Sequence, residues 1–480
     1  MSMAEELMEP VSPTDQCFNN SVLSISNLCV FESEVPIDES LIIQFFKECS
    51  VTINPTFSSI MVTDKHTEKA YWKRVELDFE NHVKIPNFPS GMPKEFYEKC
   101  FDEYLSETGL EEFPQSQPLW KVHIIKYPTK NAEGTIIFNF HQSLGDGYSL
   151  MCTLFSYIKR ADSPSLPLTF PSVKMRSSFA DSYGQNSTKK MFKNLNWALS
   201  AVVNTVSDFS WGLLKSSFLE DDKTPIRSGK SGVESRPICV STVKFSLDHI
   251  KEIKTKLGVT INDVITTIIF MGSRLYMQEM DKMSTNADST ALVLFNTRML
   301  RNYKSMEDLV NSKNSDDDST WGNHVATLCV TIPVVTGDDF ANPLGIMKKT
   351  HEMIKKKRHS SAIYLTDCLL NLISKYAGPK AGSRFLHNTI KNSSMIITNM
   401  IGPAEKMSLA NHPIRNFYFA VTGCPQNLVT SVVSYMGELR IGLVAEKGFI
   451  DAQKLKSCVE RAFEMTLKAA REIEVPVANI

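Results

Sequence analysis

The chain has 480 residues, 42% of them hydrophobic and 22% charged, the balance of a folded globular protein and more chain than one ordinary core organises. Lysine plus arginine (52) nearly equal aspartate plus glutamate (53), which argues against nucleic acid as a main partner, since phosphate binding calls for a basic surplus. Ten scattered cysteines form no CxxC pair and have no histidine cluster beside them, which argues against a metal site.

Most of these cysteines sit in apolar runs such as LMCTLF and ATLCVTI, where Cys acts as a small buried hydrophobe. Reduced thiols and a cytosol-facing protein are therefore expected. The opening stretch MSMAEELMEPVSPTDQ is acidic and broken by prolines, unlike a signal or transit peptide. Nowhere do eighteen apolar residues run uninterrupted, so no clear membrane span is expected.

The first 185 residues alternate short strands and helices. Residues 39–49 and 93–107 have helical spacing, the second opening on a proline suited to a first turn. Residues 119–126 and 135–140 read as strands, with Ile136, Phe138 and Phe140 on one face. Residues 148–160 read as a mostly buried helix. A Ser-, Pro- and Lys-rich linker follows over 161–190.

Within 197–215, Leu199, Val202, Val206, Phe209 and Leu213 step by three and four residues into one apolar stripe. Asn204, Ser207 and Asp208 lie off it, and Lys189, Lys190 and Lys193 precede it. That pattern suits a helix at a membrane surface; the alternative is a helix packed on its own protein. A second polar linker is expected over 220–237. Beyond it come a strand (TVKFSL), a helix (TINDVITTIIFMGSRLYMQEM), and strands at ALVLFNTR, HVATLCVTIPV and SMIITNMIGP. A hairpin turning near Met436–Gly437–Glu438 and a helix over 452–473 close the chain, and residues 311–320 read as a solvated, mobile loop.

The richest chemistry lies in IIFNFHQSLGDGYSL, residues 136–150. It puts His141 at the end of a buried strand, then a Gly-Asp-Gly turn, then a helix. A polar group so placed is held rigidly yet exposed at its tip. Gly145 and Gly147 would allow backbone conformations closed to other residues, and Asp146 would accept hydrogen bonds and fix the turn. The alternative is a strand-turn-helix corner whose histidine is merely satisfied.

HQSLGDG resembles the HHxxxDG motif of plant-type wax ester synthase/diacylglycerol acyltransferases, a version of the HxxxDG motif of CoA-dependent acyltransferases. QPLWKVHII (117–125), TINDVI (260–265) and ITNMIGP (397–403) resemble, in order, the family's PLW, Asn-Asp and Gly-Pro segments. The resemblance implies an α/β (α+β) fold of two chloramphenicol-acetyltransferase-like domains with a tunnel between them. We place these at 1–185 and 238–480, with an amphipathic membrane-surface helix and linker at 186–237. It implies acyl transfer from acyl-CoA to a long-chain alcohol or to diacylglycerol, with no cofactor beyond that substrate and no metal. It further implies a location at the endoplasmic reticulum membrane facing the cytosol, or at the plasma membrane.

In this scheme the second His of the motif is the general base, Asp146 stabilises the loop, and Asn262 helps hold the oxyanion. For Asn262 a helix cap is the alternative role. The base position, four residues before Asp146, is Gln142, and glutamine cannot act as a base near neutral pH. His141 matches the motif's first His. Three readings follow: a weak enzyme relying on positioning, a distorted turn that lets His141 reach the alcohol, or a non-catalytic acyl-CoA- or lipid-binding protein of the same fold. Asn296 and Arg298 (in FNTRML) and Asn323 and His324 (in WGNHVATL) resemble segments that approach the tunnel; strand caps and surface pairs are the alternatives. The basic run at 348–361 would greet CoA phosphates or anionic lipid, or form a solvated helix face.

Overall fold

The computed structural model describes residues 9–52, 54–64, 69–170, 217–296, 321–335, 342–358 and 362–473, with 205, 207–210, 212–215 and 340. Two mixed sheets organise it. The larger has seven strands in the order β5 (Val83–Lys84), β6 (Trp120–Ile125), β7 (Gly134–His141), β2 (Ser26–Ser33), β14 (His412–Thr422), β13 (Met407–Leu409) and β8 (Lys159–Arg160). The second has six: β11 (Val325–Thr331), β10 (Thr290–Asn296), β12 (Met395–Ile401), β15 (Leu428–Tyr435), β16 (Glu438–Glu446) and β9 (Ile238–Ser246). A small third sheet joins β1 (Glu9–Pro10), β4 (Ala70–Arg74) and β3 (Ser59–Thr63).

The first half carries helices α1 (Pro13–Phe18), α2 (Glu39–Thr52), α3 (Phe79–His82), α4 (Lys94–Thr108) and α5 (Gly147–Tyr157). The second carries α6 (Leu247–Leu257), α7 (Ile261–Met280), α8 (Pro343–Arg358), α9 (Ala362–Ala377), α10 (Pro379–Lys391) and α11 (Ala452–Arg471). Strands β2 and β7 are buried from end to end, their polar residues Asn27, Glu32 and Asn139 included. The face formed by Phe138 and Phe140 packs on Phe46, Trp120 and Phe57.

Local signals place several elements. Thr260 caps α7 in a capping box with Asp263, so the cap role weighed for Asn262 belongs to its neighbour two residues upstream. Met436 (φ 50°) and Gly437 (φ 76°) both take positive φ, which gives the two-residue turn that matches the twist of β15 and β16. Gly272 lets α7 and α11 close in, since a Cβ there would sit 2.7 Å from the Val459 Cα.

One sequence expectation is corrected and one gains a detail. Across the expected division into 1–185 and 238–480, β13 and β14 leave the second half and join the first sheet, β14 pairing antiparallel with β2 from Ile414 to Thr422. Stretch 220–237 is not simply a polar linker. Asp221 is buried, bonded to Lys215, to the backbone and hydroxyl of Thr290 and to the Ser394 hydroxyl, while Arg227 pairs with Glu220 and the Lys391 carbonyl. Asp221 and Arg227 therefore face inward onto partners while Asp222, Lys223 and Lys230 stay exposed, a division that composition does not reveal. The apolar stripe of 197–215 lies largely outside the described residues, as do most of 161–190 and all of 311–320. Among the described residues no helix is long and apolar enough to cross a membrane.

Candidate active site

β7 delivers His141 to its C-terminal end, where the residue is 1% exposed. The Ser143 backbone N–H donates to its Nδ1 at 3.2 Å, so that nitrogen carries the lone pair. Nε2 then carries the proton and donates to the Ser24 hydroxyl at 3.0 Å. The Ser143 hydroxyl also lies 2.7 Å from Nδ1. With both ring nitrogens occupied, the imidazole acts as a cap on the turn. Burial lowers its pKa from 6.5 to about 4. In this arrangement the Nδ1 lone pair of His141 is already engaged by Ser143, and His141 presents no free acceptor to an alcohol.

Gln142 opens the following single turn of 3-10 helix and faces elsewhere. Its Oε1 accepts from the Asn27 amide at 2.8 Å, and its Nε2 donates to Asn323 Oδ1 at 2.7 Å. Asn323 donates in turn to the Gln142 carbonyl at 2.8 Å and to Asp15 Oδ1 at 2.7 Å. Four side chains from residues 15, 27, 142 and 323 thus form one directional chain ending on a carboxylate. Burial raises the Asp15 carboxyl above its ordinary value, opposed by the bonds to Asn323 and Ser12.

Asp146 is fully buried. One oxygen accepts the Ser149 N–H at 2.9 Å and caps α5; the other accepts the His324 N–H at 2.9 Å. The Asp146 N–H and the Ser149 hydroxyl both donate to the Gly322 carbonyl, at 3.3 and 3.1 Å. The motif turn of the first half is thereby stapled to Trp321–His324 of the second. Gly145 sits at φ +147°, ψ 166°, a region essentially reserved for glycine, and a Cβ would lie 3.2 Å from that of Ser149. Gly145→Ala is expected to cost about 1–3 kcal/mol of stability, read as a lower denaturant midpoint. Gly147 differs from expectation: it is an ordinary helical residue, and its need is space, since a Cβ would meet Met400 Sδ at 2.9 Å.

The same strand, β12, reaches Asn262. Asn399 donates to Asn262 Oδ1 at 3.1 Å, and the next residue, Met400, packs on Gly147. Asn296 ends β10 in register with Val325; its side chain and all of Arg298 lie outside the described residues. Asp15 and Asn27 are not legible from sequence, since nothing local signals that Asn27 meets Gln142 or that Asp15 joins it through Asn323.

A second buried histidine lies on the same sheet. His123 bonds the Tyr104 hydroxyl through Nδ1 at 2.8 Å, and burial lowers it to about 4. The unfolded chain protonates both histidines near 6.5, whereas the folded chain resists until about 4. Stability is therefore expected to be full above pH 6.5 and to fall between 6.5 and 4, by about 2–3 kcal/mol per histidine. Denaturant midpoints that stay level across that window would contradict this.

Comparison with known proteins agrees with this geometry. Residues 21–265 match the wax ester synthase/diacylglycerol acyltransferase catalytic domain, and residues 321–466 match the WS/DGAT C-terminal domain. Wax ester synthase/diacylglycerol acyltransferase 4 of Arabidopsis thaliana is 27% identical over 92% of this chain and 86% of its own. Number 9 of the same plant is 26% identical over 99% and 98%. Among solved structures, the wax ester synthase/diacylglycerol acyltransferase of Marinobacter aquaeolei VT8 shares the fold with a TM-score of 0.58 at 14% identity, covering 96% of this chain and 100% of that one. The first condensation domain of the CDA synthetase does so at 0.55 and 11%, covering 98% and 97%. With one match spanning the motif turn and the other the segment stapled to it, the chain belongs to the wax ester synthase/diacylglycerol acyltransferase family.

Proposed function

We propose that this chain moves a fatty acyl group from acyl-CoA to the hydroxyl of a long-chain alcohol, giving a wax ester, or of diacylglycerol, giving triacylglycerol. The observation that carries the reading is the catalytic-domain match over 21–265, joined to a motif turn that closes on both halves. The hydroxyl oxygen attacks the thioester carbonyl carbon; a C–O bond forms, the C–S bond breaks, and the hydroxyl proton ends on the departing sulfur. Acyl-CoA is the only small molecule this requires besides the acceptor, and free CoA leaves as the second product.

Gln142 takes no proton in this scheme. The second lone pair of its Oε1 receives the acceptor's O–H, and the amide chain ending on the Asp15 carboxylate strengthens that acceptor. Asn262, its oxygen engaged by Asn399, turns its N–H groups to the developing oxyanion. Apolar acceptors dissolve in membranes, so the reaction runs at a membrane surface, with the 197–215 segment as one contact. We place it on the cytosolic face of the endoplasmic reticulum, with the plasma membrane as the second candidate.

The test is transfer from radiolabelled palmitoyl-CoA to hexadecanol and to diacylglycerol, with Asn262→Ala in parallel. Product from the native chain, reduced in the variant, supports the reading. Product only after Gln142→His would make the native chain a lipid- or acyl-CoA-binding protein instead.

A further inference from the structure

The segment from Pro343 to Lys391 holds ten lysines and arginines and two acidic residues, Glu352 and Asp367, a net of +8 in a chain whose total is −1. It folds as three helices in succession, α8, α9 and α10. The middle one is the anomaly. Leu370 and Ser374 on its inner face are buried, while Leu365, Cys368, Leu372 and Tyr376, spaced three, four and four, form a stripe on the opposite side. That stripe stays open to solvent: Leu365 is 44% exposed, Leu372 47% and Tyr376 78%. A helix apolar on both faces normally lies inside a core.

Exposed cations are dense in the same three-helix segment. Lys355, Lys356 and Arg358 are exposed at the end of α8, Lys380 and Arg384 on α10, and Lys375 lies on α9 with its ammonium 5.5 Å from the Tyr376 ring. The neighbouring segment is tied to this unit at two points, Asp208 to Lys357 at 2.7 Å and the Asn392 amide to the Lys215 carbonyl at 2.7 Å. It exposes Leu213, Leu214 and Phe218.

We propose that the outer face of α9, with its basic flanks, is the docking surface of this protein on an anionic phospholipid membrane. Charge selects the occupant. A second copy of the chain would bring like charge against like, whereas an anionic leaflet attracts a basic segment that carries an exposed apolar stripe. The helix lies in the plane of the interface, with Leu365, Leu372 and Tyr376 in the acyl boundary and the lysines among the headgroups. The inference is independent of which acyl acceptor the active site uses.

The experiment is co-sedimentation of the full chain with phosphatidylcholine vesicles, with and without phosphatidylserine, in the absence of acyl-CoA. The native chain is expected to bind the anionic vesicles more tightly. Leu372→Asp with Tyr376→Asp should lower that binding roughly tenfold or more while the thermal transition stays in place. If that pair fails to fold, Leu365→Ser with Tyr376→Ser serves instead. Lys355→Glu with Lys356→Glu and Lys380→Glu should remove the preference for phosphatidylserine. Native-like binding by the folded stripe variants would overturn the proposal, as would no binding by the native chain. So would a change of oligomeric state in the variants without vesicles, which would assign the face to a second copy. Palmitoyl transfer to a short, water-soluble alcohol should persist in the stripe variants, which separates a failure here from a failure of the acyltransferase reading.

Discussion

Gln142→His is expected to raise acyl transfer at least tenfold, and by as much as about 10²–10⁴-fold, the usual range for a positioned general base. The site is built to receive it. Gln142 accepts on one atom from Asn27 and donates from the other to Asn323, and a neutral imidazole offers the same pair, one acceptor and one donor. Asn27 would then compete for the lone pair that the base needs. Adding Asn27→Ala should therefore increase the gain further. The rate should also acquire an acid limb near pH 6.5 that the native chain lacks. Initial rates with palmitoyl-CoA and hexadecanol decide the matter. A folded variant with an unchanged rate and a flat pH profile would remove residue 142 from the chemistry.

The second large effect is expected from Asp146→Ala. The carboxylate closes two independent gaps: it caps α5 through the Ser149 N–H and satisfies the His324 N–H across the junction of the halves. Loss of a cap costs about 1 kcal/mol, and a buried N–H without a partner about 1–3 kcal/mol, so about 2–4 kcal/mol should be lost. Activity should fall more steeply than stability, because Trp321–His324 and with it Asn323 would no longer hold Gln142 in register. Asp146→Asn keeps one oxygen acceptor and should fall between the two. A denaturant midpoint for Asp146→Ala equal to that of the native chain would contradict this account.

The elements that the sequence made legible are those whose causes are local. The apolar face of β7 and the Met436–Gly437 turn each sit within a few residues of the feature they determine. Gly145 belongs with them, since its backbone conformation alone demands glycine. What escaped depends on distant partners. His141 and Gln142 are adjacent in sequence, yet one is closed off by Ser24 and Ser143 while the other meets Asn27 and Asn323 and, through Asn323, Asp15. No periodicity encodes that convergence. Asp221 is the same lesson in reverse: a residue in an apparent polar linker becomes buried because Lys215, Thr290 and Ser394 come to it. Nor does the sequence of α9 say that Leu365, Leu372 and Tyr376 on its outer face stay exposed.

The placement of β14 has a consequence for how the chain is made. Strand β2 leaves the ribosome within the first few dozen residues, but its neighbour in the sheet spans His412–Thr422. At about 5–20 residues per second, synthesis of the intervening chain takes on the order of 20–80 s. Throughout that time one edge of a strand buried along its length stands open, and such edges pair with whatever strand arrives first. The N-terminal half therefore does not mature as a separate folding unit during translation. Polypeptides truncated before residue 412 should collect in aggregates or on chaperones rather than as a soluble half-enzyme, and co-expressing the two halves should rescue solubility only when the second fragment carries 407–422.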